Sequence, residues 1–209
     1  MSNSKKRLIA PVFAGEPDWN NVPKYSLDNH LWKNDYPTFW RASVQLCASE
    51  NKGIYVRLLS DESPVKAVFK NRDEPVYLDS CMELFFQPFS DDLRYINIEI
   101  NPNCAYLSAI GADRNNRTFI SELTDLQYSV KSIPVETGWG VELFIPEELI
   151  SSVFSREFVS DGEIKANVYK CGDETAFPHY SSLFFVGTPI PDFHRPEYFG
   201  SIIFSSEKE

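Results

Sequence analysis

The most constraining feature of this chain is a series of short segments in which apolar and polar side chains alternate. The clearest of them reads Tyr95-Ile96-Asn97-Ile98-Glu99-Ile100-Asn101. Because successive side chains of a strand point to opposite faces of its sheet, the three isoleucines share one face and the other four residues share the opposite face. A chain built mostly from such segments folds into sheets with one apolar face each.

The same reading predicts a chain of strands with almost no helix. Strands are predicted at residues 42–48, 53–59, 65–69, 81–87, 95–101, 105–109, 128–133, 140–145, 164–170, 182–186 and 201–204. The turn-like Glu50-Asn51-Lys52-Gly53 joins the first two as a hairpin. One short helix is predicted at residues 146–150, where a proline and two acidic residues suit a helix N-terminus. We therefore predict an all-β fold, a jelly-roll-like antiparallel β-sandwich with at most one or two short helices.

The length of 209 residues suits a single domain, and no repeat, linker or charge block divides the chain. We predict one β-sandwich domain over residues 1–209, in which residues 1–41 form an irregular wrap and residues 42–205 form the sandwich core. The wrap is rich in aromatic residues, namely Trp19, Tyr25, Trp32, Tyr36, Phe39 and Trp40.

Charge and cysteine usage exclude several classes of protein. The formal net charge is −10 and no run of lysine or arginine concentrates positive charge, so a nucleic-acid partner is not expected. The apolar run after the basic N-terminus is too short for a signal peptide or a membrane span. As written, the chain is expected to be cytoplasmic, with no membrane partner.

The sequence has four widely spaced cysteines and no CxxC motif. This pattern favours buried thiols over disulfides at Cys47, Cys81, Cys104 and Cys171.

Alternation in three strands predicts one shared polar face. In residues 81–86 it places Met82 in the core and Glu83 outside, and residues 164–169 follow the same rule. The outward side chains are short, planar or aromatic, and such groups lose little entropy when a ligand fixes them. This composition favours a ligand-binding face over a merely solvated one. The candidate binding residues on it are Glu83, Tyr95, Asn97, Glu99, Asn167 and Tyr169.

A second candidate region is the segment that precedes the last predicted strand, residues 193–200. It combines aromatic rings with an imidazole and a guanidinium between Pro196 and Gly200. Proline stiffens the loop, and glycine can adopt backbone angles closed to other residues. Aromatic rings stack on the C–H faces of sugars, and polar donors satisfy their hydroxyl groups. The segment therefore adds the candidates Phe193, His194 and Arg195, although a purely structural role in pinning the last strand remains the alternative for Phe193.

Residues 75–86, 97–102 and 192–200, together with the opening residues 15–19, resemble carbohydrate-binding module family 9. The resemblance spans nearly the whole chain and implies a jelly-roll-like sandwich that holds the end of a glycan between two aromatic rings. It implies that Tyr77 and Phe193 occupy the positions of the two clamp tryptophans. Glu83 matches a family carboxylate that accepts hydrogen bonds from sugar hydroxyls.

The resemblance also implies departures from the family pattern. Tyr169 and His179 lie near positions where the family uses an amide and a guanidinium, and Glu99 stands where an arginine is expected. No cofactor is expected apart from structural calcium, for which the family is known. The calcium candidates are Asp61, Glu62, Asp91 and Asp92.

The function predicted from these residues is non-catalytic carbohydrate binding rather than an enzyme, because nucleophile elbows, HExxH and phosphate loops are missing from the sequence. Three alternatives stay open. One is an interaction domain with a decayed sugar site. Another is a glycoside hydrolase using Glu83 and Glu99, although an open sheet face would keep both carboxylates wet. The last is a haem or metal carrier, which would require Met82 to face outward, and Cys171, His179 and His194 lack zinc-site spacing.

Overall fold

A computed structural model describes residues 7–32 and 40–206 of the chain. The predicted wrap residues Tyr36 and Phe39 lie outside these residues. The described chain contains one α-helix, α1 (Glu147–Phe154), and the following strands: β1 (Arg7–Phe13), β2 (Lys24–Ser26), β3 (Asn29–His30), β4 (Ala42–Ser49), β5 (Gly53–Ser60), β6 (Cys81–Gln87), β7 (Tyr95–Ile100), β8 (Tyr106–Gly111), β9 (Arg117–Phe119), β10 (Ser129–Ser132), β11 (Trp139–Pro146), β12 (Gly162–Cys171), β13 (Tyr180–Ser182) and β14 (Gly200–Ser205).

The strands form two packed layers joined by β1. One layer, called here the site sheet, has the order β14-β12-β6-β7-β8-β9, and the second sheet has the order β10-β11-β5-β4. The first part of β1 pairs in parallel with β14, and its last two residues pair in parallel with β4. A strand that switches sheets in this way makes a corner of a sandwich. The predicted all-β sandwich is confirmed, with these two parallel pairings as the difference from a purely antiparallel one.

The main core lies between the two sheets and follows the predicted alternation. From the site sheet, Met82, Leu84, Ile96 and Ile98 point inward and are buried. From the second sheet, Leu46 and other aliphatic residues meet them. Burial of each large aliphatic side chain stabilises the fold by roughly 1.5–3 kcal/mol, so these two faces carry most of the driving force for folding. Met82 faces this core, which removes it as an outward haem ligand.

The helix α1 lies where the sequence predicts it and closes one end of the core. Pro146 caps its start, and Glu147 and Glu148 occupy its first turn, near the positive end of the helix dipole. Its apolar residues Leu149, Ile150, Val153 and Phe154 are buried. No helix in the described residues has the length and apolarity that crossing a bilayer requires.

The outer face of the site sheet is covered by other segments of the chain rather than open to solvent. A second, smaller core forms there around Phe85, Tyr95 and Tyr169 from the sheet and Phe193 and Phe199 from the loop before β14. Polar residues of this face are buried with them, including Glu83, Asn97 and Glu99. The sequence correctly assigned these residues to one face, but its expectation that the two carboxylates stay wet is wrong.

Three local predictions differ from the structure. The predicted wrap over residues 1–41 contains strands β1, β2 and β3. Residues 65–69 do not form a strand, because the backbone amides of Val68 and Phe69 bond the carboxylate of Asp79 instead of a neighbouring strand. The strand predicted at residues 182–186 ends at Ser182: the amide of Leu183 still bonds the carbonyl of Val168 in β12, but the amide of Phe184 bonds the side-chain Oδ1 of Asn167.

Gly200 is needed for a different reason from the predicted one. Its φ is not among the positive values found in this chain, so it takes no unusual backbone angle. A Cβ atom at this position would lie 2.4 Å from the ring of Phe184. The glycine therefore allows the ring to pack directly on the backbone at the start of β14.

Candidate functional site

The main cavity of interest lies on the outer face of the site sheet. Its volume is about 260 Å³. Strands β6 and β7 supply its floor, and the loop before β14 and the turn at Val76–Leu78 supply parts of its wall. Five of the eleven predicted binding residues border it: Tyr77, Glu83, Glu99, Phe193 and His194.

Glu83 and Glu99 occupy directly opposite positions on β6 and β7. Both side chains are almost completely buried. Loss of hydration raises the pKa of Glu83 well above its ordinary value, and the neighbouring charge of Glu99 raises it further. Burial likewise raises the pKa of Glu99, although Arg117 opposes the shift. The floor therefore holds two carboxyl groups that resist being charged at the same time.

A short relay of polar groups orients Glu99. The guanidinium of Arg117 donates to Oδ1 of Asn97 at 3.0 Å, and Nδ2 of Asn97 donates to Oε1 of Glu99 at 3.0 Å. The other oxygen of Glu99, Oε2, has no hydrogen-bond partner among the described residues although it is buried. A buried polar atom without a partner is costly, so this carboxylate oxygen is left with an unsatisfied capacity to accept a hydrogen bond.

An aromatic wall stands beside this floor. The ring of Phe193 stacks on that of Tyr169 with centroids 4.1 Å apart and an interplanar angle of 11°. Trp32 packs against Phe193 with ring centroids 5.5 Å apart. The hydroxyl of Tyr169 donates a hydrogen bond to the backbone carbonyl of Phe193 at 3.2 Å, which fixes the position of Phe193 relative to the sheet. Tyr77 borders the same cavity from the turn at Val76–Leu78 and is 39% exposed.

His194 borders the cavity as a neutral imidazole. Its Nδ1 lies 2.8 Å from the hydroxyl of Tyr95, and its ring contacts Phe85. Burial, and after it the positive charges of Arg117 and Arg114, lower the pKa of His194 to about 3. A neutral imidazole presents one donor and one acceptor, and Tyr95 uses one of them.

The remaining predicted residues lie outside the rim of the cavity. Tyr95, Asn97 and Tyr169 support the bordering residues through the contacts just described. Arg195 forms an ion pair of 2.7 Å with Asp192 and is partly exposed.

Asn167 is fully buried. Its side-chain amide bonds the backbone of Val168 and Phe184, so Asn167 has a structural role.

His179 belongs to a separate buried network. Its Nδ1 donates to the carbonyl of Phe177, so its Nε2 accepts from Nζ of Lys170 at 2.7 Å. Burial lowers the pKa of His179 to about 4, with the charge of Lys170 as the second cause. Lys170 is completely buried and forms an ion pair of 2.8 Å with Glu62. The neutral His179 is therefore a hydrogen-bond partner of this pair, not a third charge.

Sequence reasoning missed several residues that border the cavity. Arg114 and Asn115 come from the connection between β8 and β9, Arg117 begins β9, and Asp173 and Tyr180 come from the segment after β12. The polar run Ala112-Asp113-Arg114-Asn115-Asn116-Arg117 is a turn signal that identifies a hairpin. Nothing in the sequence shows that this hairpin folds over the polar face.

The four predicted calcium ligands do not fit a common site. Asp61 pairs with Arg41, Asp91 with Arg156 and Asp92 with Arg94. Glu62 forms a buried ion pair with Lys170. Each carboxylate is already neutralised by a cationic side chain, so these residues offer no shared oxygen cage for calcium.

Comparisons with known proteins agree on one family. The sequence profile described as carbohydrate-binding family 9 matches residues 16–204. A protein from Bacteroides uniformis ATCC 8492, described as a "putative carbohydrate-binding protein", is 27% identical, with a TM-score of 0.81 over 97% of this chain and 100% of that chain. No curated protein sequence matches significantly.

Two solved structures from Caldicellulosiruptor kristjanssonii share the fold. Both are carbohydrate binding modules of family 9. The one in complex with glucose is 15% identical, with a TM-score of 0.66 over 97% of each chain. The one in complex with cellotriose is 14% identical, with a TM-score of 0.65 over 97% of this chain and 95% of that chain.

Proposed function

This chain belongs to carbohydrate-binding family 9, and from that membership we propose that its outer-face cavity holds the end of a saccharide. The ligand class is a pyranose or a short glucan, the kind of ligand present in the structures with glucose and cellotriose. Binding is non-catalytic. The observation that carries the proposal is a cavity that combines aromatic walls with the carboxylates of Glu83 and Glu99, of which Oε2 of Glu99 has no hydrogen-bond partner among the described residues.

The chemistry of the cavity suits a sugar. Glu83 and Glu99 offer acceptors, while Arg114 and Arg117 offer donors, so hydroxyl groups can be bonded as donors and as acceptors. Tyr77 supplies a partly exposed ring for the apolar face of a pyranose. Each stacked ring contributes on the order of 1 kcal/mol beyond area burial, and each hydrogen bond contributes a similar amount.

The size and surroundings of the cavity suit the end of a glycan rather than its middle. The cavity holds about 260 Å³, near the lower end of the range of ligand pockets. A shallower hollow of about 320 Å³ adjoins it and shares Tyr77, Arg114 and Arg117 with it. We infer that the terminal sugar occupies the main cavity and that the next residue lies along this hollow.

The two floor carboxylates are poorly arranged for glycoside hydrolysis. A glycosidase places its acid and its second carboxylate on either side of the scissile bond. Glu83 and Glu99 project from directly opposite positions on adjacent strands, so they meet a ligand from the same side. This arrangement supports hydrogen bonding to hydroxyl groups.

Calorimetric titration with glucose and cellotriose tests the proposal. The Glu99→Gln variant keeps the acceptor for Asn97 but replaces the unpartnered oxygen by a donor, so affinity should fall at least about 10-fold. Tyr77→Ala should weaken binding about 5-fold or more through loss of stacking. Glu157→Gln and Leu93→Ala change exposed residues away from the cavity and serve as matched controls with unchanged affinity.

An absence of binding by the wild-type protein to mono- and oligosaccharides on a glycan array would favour the decayed-site alternative. Turnover of an aryl glycoside that disappears in Glu83→Gln would instead establish the hydrolase alternative.

A further inference from the structure

Two cysteines and a carboxylate meet at one end of the cavity floor. Cys81 begins β6, Cys171 ends β12, and the two are direct partners in the register between these strands. Glu83 follows two residues after Cys81 on the same face of β6. One Sγ from each cysteine and one carboxylate oxygen all lie within 4.8 Å of one another, and all three residues are buried. Cys171 and Glu83 border the cavity.

We propose that Cys81, Glu83 and Cys171 bind a thiophilic divalent cation of the zinc class, with one coordination position left open toward the cavity. Two sulfur ligands and one oxygen ligand would occupy three of the four positions of a tetrahedral coordination sphere. Zinc sites with three protein ligands and one open position take a water molecule or a substrate oxygen as the fourth ligand. The metal site does not rest on the proposed sugar binding, because the cluster of two thiols and a carboxylate is observed independently of any ligand, although Glu83 belongs to both sites.

The spacing of the three ligand atoms is compatible with such an ion. Zinc binds sulfur at about 2.3 Å and carboxylate oxygen at about 2.0–2.2 Å, so tetrahedral ligand atoms stand roughly 3.5–3.8 Å apart. The three ligand atoms all lie within 4.8 Å of one another, so each can reach a shared ion by a side-chain movement of about 1 Å or less. The thiol of Cys171 now lies 2.9 Å from Oε1 of Glu83, a hydrogen bond that an ion between the two atoms would replace.

The ligand types select the class of metal. Thiolates are soft ligands that favour zinc and its thiophilic neighbours over calcium and magnesium, which require several oxygen ligands. Two thiolates and a carboxylate around a divalent ion leave one net negative charge. Arg114 and Arg117 border the same cavity and offset this charge. The site forms no recognisable sequence motif, because its two cysteines come from strands that are far apart in the chain.

The site is tested with Co²⁺ and Zn²⁺ as probes on the full chain. The protein is reduced with a phosphine, freed of metal with a chelator and titrated with Co²⁺. The expected result is one equivalent of bound Co²⁺ with intense thiolate-to-cobalt charge transfer in the near ultraviolet, which Zn²⁺ then abolishes by displacement. Elemental analysis after desalting should find one Zn²⁺ per chain.

Substitutions locate the ligands. Cys81→Ser and Cys171→Ser should each weaken Zn²⁺ binding at least about 10-fold and reduce the charge-transfer band, and Glu83→Gln should weaken binding while keeping the band. Cys104→Ser is the matched control, because Cys104 is a partly exposed cysteine outside the cluster. Circular dichroism of each variant verifies folding.

The proposal is overturned if the folded, reduced wild-type protein shows no charge-transfer band, or if Cys81→Ser and Cys171→Ser bind Zn²⁺ as tightly as the wild type. It is equally overturned if a disulfide joins the two cysteines in the phosphine-treated protein. Sugar titrations run with chelator present separate the two proposals. Saccharide binding in chelator, together with no Co²⁺ or Zn²⁺ uptake in the metal titrations, would refute the metal site and leave the proposed function intact.

Discussion

Phe193 lies flat against Tyr169, with 4.1 Å between ring centroids, and Tyr169 also donates a hydrogen bond to the backbone carbonyl of Phe193. One face of the Phe193 ring is therefore used inside the protein. The wall that Phe193 offers to the cavity is fixed in place by a second aromatic residue in the sheet beneath it. Because Tyr169 is also completely buried, we expect it to support the proposed site rather than to contact a ligand.

Substitutions of these two residues should distinguish a residue that contacts the saccharide from one that only stabilises the site. Phe193→Leu keeps most of the buried volume but loses the aromatic face, so it should cost about 1 kcal/mol of unfolding free energy and weaken cellotriose binding about 3- to 10-fold. Tyr169→Phe keeps the stacked ring and loses one hydrogen bond. It should cost about 1 kcal/mol of stability with affinity unchanged within about 2-fold. Urea unfolding and calorimetry measure both quantities, and equal affinity for Phe193→Leu and wild type would contradict the contact assigned to Phe193.

The stability of the protein should depend on pH through His194. Its pKa is lowered to about 3 in the folded state, whereas an unfolded histidine titrates near 6.5. Between these values the unfolded chain binds the extra proton, so stability is fully present above about pH 6.5 and falls as the pH decreases toward 3.

The variant His194→Gln isolates this contribution. Between pH 7 and pH 5 the wild-type protein should lose about 2 kcal/mol more unfolding free energy than the variant. Urea unfolding at the two pH values gives the difference directly. Parallel losses in both proteins would show that His194 takes up its proton without cost in the folded state.

The buried pair of Lys170 and Glu62 should be a strong determinant of stability. Lys170→Met leaves the carboxylate of Glu62 buried without its cation, which should cost about 3–5 kcal/mol. The double variant Lys170→Met with Glu62→Gln removes both charges and should recover part of that loss, since Gln can still bond Ser80 and Trp139. A double variant less stable than the sum of the two single losses would contradict this account of the pair.

Gly200 should tolerate no larger residue while Phe184 keeps its position. Gly200→Ala brings a Cβ to 2.4 Å from the ring, so one of the two must shift, at a cost of about 1–3 kcal/mol. Shortening the opposing side chain with Phe184→Leu in the Gly200→Ala background should recover part of the loss. Thermal unfolding of the three variants measures the coupling, and additive losses would place the strain elsewhere.

The sheets could be predicted from the sequence because alternation encodes both strand position and strand face. The strand predicted at residues 81–87 matches β6, and Met82 and Glu83 lie on the predicted opposite faces. Failures occurred where side chains replace backbone partners. Asp79 bonds the amides of residues 68 and 69, and Asn167 bonds the amide of Phe184, and neither contact leaves a local pattern in the sequence.

The candidate site was predictable only in part for the same reason. The polar face could be read from alternation, but its burial depends on the loop before β14 and on the hairpin that carries Arg114 and Arg117. These contacts join segments separated by many residues. The meeting of Cys81 with Cys171 likewise requires the register of β6 and β12, which sequence spacing does not contain.

Chemical-shift mapping of the ¹⁵N-labelled protein with cellotriose tests the central claim most directly. The account predicts saturable shifts concentrated in the backbone amides of Glu83, Glu99, Arg117 and His194, with loss of these changes in Glu99→Gln. A separate hollow lies on the second sheet beside Lys24, Arg41 and Pro134. Shifts that cluster there, or no saturable shifts with any glucan, would contradict a saccharide site on the outer face of the site sheet.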